Sequence, residues 1–205
     1  MPTWWRTAPR VLSLLVEGLE SAWLPCSLIL LVPGAATVLA ARENLVPALA
    51  GFGLASLALA WLRFSDRGGD WPVGVAAIAL IGATVLLLVP LVEREQLLAL
   101  GGGALAGGAA AELWEPCVGS AFGQLLNQLP GRGASGLVLL LVYLAGVLSP
   151  LVGLAAIVEL FPRWLLDPAR SALAVIGGAV LAVMSVATAV GLHDDIVGRL
   201  ILWSL

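Results

Sequence analysis

Lysine is absent from the chain, and the ten cationic residues are all arginine. Against 13 acidic residues the formal net charge is only -3, too small to argue for nucleic acid or another strongly charged partner. Charge of either sign is scarce: 11% of the 205 residues are charged and 60% are hydrophobic, with a mean hydropathy of +1.04. Soluble domains carry about a quarter charged residues, so this composition excludes one and indicates an integral membrane protein. A single histidine, His193, is present. With no second one to join it, His193 beside Asp194 and Asp195 reads as an interfacial cap, and no metal or other cofactor is assigned. A small-residue cleavage pattern is also missing after Trp4, Trp5, Arg6 and Arg10, and the apolar run that follows continues through Glu17, Glu20 and Pro25. It is therefore expected to be retained rather than removed as a secretory leader.

What is present is a series of apolar segments of membrane-spanning length, about 20 residues each. The first runs over 11–41, the second over 45–62, the third over 71–92, the fourth over 97–129, the fifth over 135–160 and the sixth over 171–192. Polar connections separate them at 42–44, 63–70, 93–95, 130–133 and 163–170, the last holding Arg163, Asp167-Pro168 and Arg170. Six tryptophans (Trp4, Trp5, Trp61, Trp71, Trp164, Trp203) fall near segment ends, as in a lipid-interface belt. The first and fourth segments are overlong, and proline accounts for the excess by breaking each in two. Pro25 breaks the first, with Pro33-Gly34 as a second weak point, and Pro116 breaks the fourth. The fourth also holds Gly103/Gly107 and Gly119/Gly123 at a spacing that lets backbones approach closely, which predicts a central place in the bundle.

Both remaining tryptophans, Trp23 and Trp114, lie at these breaks, and so do the only two cysteines, Cys26 and Cys117. The first stretch reads Trp23-Leu24-Pro25-Cys26 and the second Trp114-Glu115-Pro116-Cys117, a shared W-x-P-C. Each opens a set of three spans, so the chain reads as one all-α membrane domain over 1–205 built from two repeats, 1–96 and 97–205. Three is odd, so the second half crosses in the opposite sense to the first. Inverted repeats with matching broken helices are the architecture of alternating-access proteins, with the working site at the breaks.

Paired Pro-Cys motifs in the first and fourth of six spans resemble the CcdA proteins and the membrane domain of the DsbD thiol reductases, over the whole chain. The resemblance implies a thiol-disulfide oxidoreductase of the inner (cytoplasmic) membrane. Cys26 and Cys117 would form a reversible disulfide that relays reducing equivalents from cytoplasmic thioredoxin to an extracytoplasmic thioredoxin-like protein, for cytochrome c maturation or disulfide reduction. Pro25, Pro116, Pro33 and Gly119 would shape the breaks, with Trp23 and Trp114 flanking them. The family commonly has a further proline three residues after each cysteine, where this chain has Ile29 and Ser120.

Physical chemistry supplies its own constraints. A cysteine in the first turn of a half-helix gains from the positive end of the dipole, whereas burial and a nearby carboxylate raise the cost of a thiolate. Disulfide reduction consumes protons as well as electrons, and a carboxylate inside a membrane is by default a proton-handling or gating residue; Glu20, Glu112 and Glu115 are the candidates, with Glu17 weighed beside them, and a headgroup or water-filled dip is their structural alternative. A small-solute or ion transporter on a similar inverted-repeat fold, its cysteines merely packing, is the other function class these features admit. Quinone-linked oxidation is weaker, because the chain has no C-x-x-C pair. Orientation divides the arguments: arginines fall six to four in favour of termini inside, while the resemblance implies termini outside.

Overall fold

A computed structural model of the chain describes residues 4–41, 44–65, 72–88, 95–114, 122–127, 134–160, 163–192, 195 and 198–199. Among these, every regular element is helical. Helix α1 spans Trp4–Ser21, a 3-10 turn covers Pro25–Ser27, and α2 follows over Leu28–Ala40. Then come α3 (Leu45–Phe64), α4 (Val73–Leu88), α5 (Glu95–Leu113), a short stretch of helix over 122–127 (α6), α7 (Ala134–Leu160) and α8 (Arg163–Ala189). Among the described residues three stretches are long and apolar enough to cross a membrane: Leu45–Phe64, Ser135–Leu160 and Ala172–Ala189. Leu28–Ala40 and Gly74–Leu88 are apolar but shorter. The chain is thus a membrane protein, all-helical over its described residues, and its outward faces carry Leu, Ile and Val, such as Val46, Ile78 and Val183, as lipid requires.

The longest seam joins α3 to α5, and α4 lies against α5 and α8, α1 against α7, and α2 against α8. Glycine makes the closest approaches possible. A methyl group added at Gly107 of α5 would lie 2.7 Å from the Cα of Phe52 on α3, and one added at Gly146 of α7 would lie 2.6 Å from the carbonyl oxygen of Leu15 on α1. Hydroxyls then staple neighbouring helices: Ser56 donates to the carbonyl of Gly107 at 3.0 Å and Ser185 to that of Ala77 at 2.8 Å. Helix α5 accordingly lies inside the bundle, its 106–111 stretch buried.

Prolines divide into those that break a helix and those that do not. Pro33 sits inside α2, which runs unbroken from Leu28 to Ala40, so the weak point expected at Pro33-Gly34 is not a break. In an apolar environment no water competes for the freed carbonyl, and one missing bond does not end a helix. Pro150 likewise sits inside α7. A proline cannot donate to the carbonyl four residues before it, which here is Gly146, and the hydroxyl of Ser149 takes up that carbonyl at 2.8 Å. The connection expected over 163–170 is also corrected: Arg163, Asp167, Pro168 and Arg170 belong to the first turns of α8. Charge in a sequence marks the level of water, and a helix can extend into water as readily as a loop can.

Candidate functional site

At the first break the backbone leaves the α-helical pattern in a run of tighter turns. Trp23 donates to the carbonyl of Glu20 at 3.2 Å, Leu24 to that of Ser21 at 3.0 Å, and Ser27 to that of Leu24 at 3.0 Å. The cause is Pro25, whose missing N–H leaves the carbonyl of Ser21, four residues earlier, without its helical donor. The hydroxyl of Ser27 fills that place at 2.6 Å. The carbonyl of Ser21 thus accepts twice, from the N–H of Leu24 in the tighter turn and from the hydroxyl of Ser27, so the broken backbone stays satisfied inside the protein. Cys26 lies between Pro25 and Ser27, in the 3-10 turn that feeds α2. It is buried, 2% exposed, and disulfide-bonded.

The second break is handled in the same way by different chemistry. Helix α5 ends at Leu113 and Trp114 is already non-helical, while Glu115, Pro116, Cys117 and Gly119 lie outside the described residues. Proline at 116 has no N–H for the carbonyl of Glu112, again four residues earlier. Arg63, at the end of α3, donates from Nη1 to that carbonyl at 2.7 Å and to the carbonyl of Trp114 at 2.9 Å. A cation at the C-terminus of a helix is also favoured by the negative end of its dipole. Each break therefore has a side chain standing in for the N–H that proline removed.

An aromatic cluster joins the two breaks. Tyr143 of α7 stacks on Phe122 of α6 with centroids 3.8 Å apart and planes 11° apart. Trp114 lies 6.3 Å from Tyr143 and 6.4 Å from Phe122, and Phe64 meets Trp114 edge-on at 6.2 Å. Trp114, Phe122 and Tyr143 are fully buried. The phenol of Tyr143 donates to Oγ of Ser21 at 3.0 Å, and the backbone N–H of Phe122 donates to Oε1 of Glu17 at 3.2 Å. One polar atom of the cluster goes without: Nε1 of Trp114 is buried and has no hydrogen-bond partner.

The two halves of the W-x-P-C pattern differ in surroundings. Trp114 is enclosed, whereas Trp23 is 83% exposed and faces away from the bundle. The carboxylate candidates differ too: Glu20 is exposed and Glu112 half-buried, while Glu17 is a carboxylate that reaches across to α6. Sequence reasoning missed Ser21, Ser27, Arg63, Phe122 and Tyr143. The position four residues before each proline was the available signal, since that carbonyl must find another donor. Among the described residues no group of histidine, cysteine or carboxylate side chains could hold a metal ion.

The described residues thus hold Cys26, buried and disulfide-bonded, in the turn that breaks the first helix, and an aromatic cluster is tied to that turn through Ser21. Compared with protein-family models, with curated proteins and with solved structures, the chain matches none.

Proposed function

We propose that the chain is a membrane thiol-disulfide oxidoreductase that carries reducing equivalents from one side of an inner membrane to the other. The observation that carries this reading is the disulfide on Cys26, buried in the turn that breaks the first helix pair. With two cysteines in the chain, an intramolecular bond would take Cys117 as its partner, which is the pairing this proposal adopts. Cysteines that merely packed, as in the transporter reading, would be free thiols.

The chemistry balances as two exchanges. A thiolate of a cytoplasmic thioredoxin dithiol attacks one sulfur of the Cys26-Cys117 disulfide, forming a mixed disulfide and releasing the other sulfur as a thiolate, which takes up a proton. The second thioredoxin thiol resolves the mixed disulfide, leaving thioredoxin oxidised and the pair reduced by two electrons and two protons. The reduced pair then passes both to a disulfide on an extracytoplasmic thioredoxin-like protein by the same steps in reverse.

The six-span inverted repeat belongs to the same reading. Its support is the pairing of helices: α3 runs along α5, and the counterparts of those two helices in the opposite halves, α7 and α1, run along each other. Phe52 on α3 and Tyr143 on α7, both fully buried, stand 91 positions apart, the same interval as Cys26 and Cys117.

Alkylation of native membranes before and after thioredoxin treatment tests the proposal. Both cysteines are expected to change from protected to reactive together, and Cys26→Ser to abolish the change at Cys117. A Cys26→Ala/Cys117→Ala protein that still carried electrons from thioredoxin to an enclosed disulfide in sealed vesicles would overturn it.

A further inference from the structure

We propose that Tyr143, the only tyrosine in the chain, is a positioning residue that clamps the two helix breaks together and thereby sets the reduction potential of the Cys26 disulfide. The inference rests on the reading that Cys26 and Cys117 form the redox pair. Tyr143 is fully buried in α7 and touches both breaks with different parts of one side chain. Its hydroxyl donates to Oγ of Ser21 at 3.0 Å, and Ser21 is the last residue of α1 and accepts at its carbonyl from Ser27, the residue after Cys26. Its ring stacks on Phe122 at 3.8 Å and lies 6.3 Å from Trp114, residues that bracket Cys117 in the sequence, five after it and three before.

The physical consequence concerns effective concentration. The stability of a disulfide depends on how often the reduced protein presents one sulfur to the other, and a scaffold that fixes their separation raises that frequency. A rigid phenol spanning both breaks is such a scaffold: the ring is held by stacking and the hydroxyl by a buried hydrogen bond. Removing the hydroxyl loosens the Ser21 end alone, because the ring and its stack remain. The disulfide should then be easier to reduce, a shift toward less negative potential.

The experiment is a redox titration of the purified full-length protein in lipid nanodiscs against dithiothreitol buffers, read by alkylation of the released thiols. Tyr143→Phe and Ser21→Ala are each expected to shift the reduction equilibrium by about fivefold, on the order of 20 mV for a two-electron couple. The double variant should shift no further than either single one, since both remove the same bond, and Ser21→Thr should restore the hydroxyl and the wild-type value. Ser185→Ala, which removes a hydroxyl bonded to Ala77 elsewhere in the bundle, should leave the equilibrium unchanged. A wild-type value in Tyr143→Phe, additive shifts in the double variant, or an equal shift in Ser185→Ala would overturn the clamp. A wild-type protein with no reducible disulfide would instead overturn the redox reading on which the clamp rests.

Discussion

The seam between α3 and α5 makes a quantitative prediction about Gly107→Ala. The added methyl carbon would stand 2.7 Å from the Cα of Phe52 and 2.8 Å from its carbonyl carbon, where ordinary contact begins at 3.4 Å. These neighbours are backbone atoms, as is the still closer carbonyl oxygen of Phe52, so no rotamer change relieves the overlap and the helices must part by more than 0.7 Å, the difference between 3.4 and 2.7. A gap of that size forfeits roughly a quarter to a half of each dispersion contact along the seam, and overpacking of this kind costs about 1–3 kcal/mol. Parting the helices also stretches the bond from Ser56 to the carbonyl of Gly107, now 3.0 Å, adding about 1 kcal/mol. The total expected is about 2–4 kcal/mol, measured as reversible unfolding by SDS in mixed micelles. Gly53→Ala is the control on α3, since a methyl group there meets nothing within 4 Å, and it should fall within about 0.5 kcal/mol of wild type. If Gly107→Ala were no more costly than Gly53→Ala, close backbone contact would not be what joins these helices.

Arg63→Met should cost about 1.5–3 kcal/mol or more by stranding the carbonyls of Glu112 and Trp114, and Arg63→Lys should recover only part of it, a compact ammonium being a poor substitute for the guanidinium fork; equal stability of all three proteins in SDS unfolding would refute the stand-in role. Trp114→Ala should cost about 3–5 kcal/mol, the usual price of emptying a core aromatic site, whereas Trp23→Ala, 83% exposed, should fall within about 0.5 kcal/mol of wild type in detergent; similar losses for the two would refute the asymmetry. Pro25→Ala restores an N–H that competes with Ser27 for the carbonyl of Ser21, so the turn carrying Cys26 should become more helical and its reduction by thioredoxin slower. Unchanged stopped-flow rates would show that the break does not serve exchange.

Much of the architecture was legible because membrane segments announce themselves by composition. The apolar stretches 45–62 and 135–160 closely match α3 and α7, and the interruption near Pro25 was readable from a span too long for a bilayer. Prolines were harder. Pro25 and Pro33 have the same covalent chemistry, yet one lies in a break and the other inside a helix; what differs is the tertiary supply of donors and packing, which no local pattern records. The extension of α8 back to Arg163 was missed for a related reason, since hydropathy measures where water is and not whether the backbone is helical. The site's cysteines stood out by rarity. Its polar contacts did not, because Ser21 meets a residue 122 positions away and Glu17 one 105 away, separations that carry no periodic signature.

The place of Tyr143 along α7 has a consequence for depth. Nine residues separate it from the start of that helix at Ala134 and 17 from its end at Leu160, roughly 14 Å and 26 Å at 1.5 Å per residue. Arg63, one residue from the end of α3, meets Trp114 close to the same level. The junction of the breaks is therefore off-centre, about twice as far from one end of α7 as from the other. Under the relay proposed above, a thioredoxin-like partner would meet approaches of unequal length from the two ends of α7, and the relay would require the greater opening on the longer side.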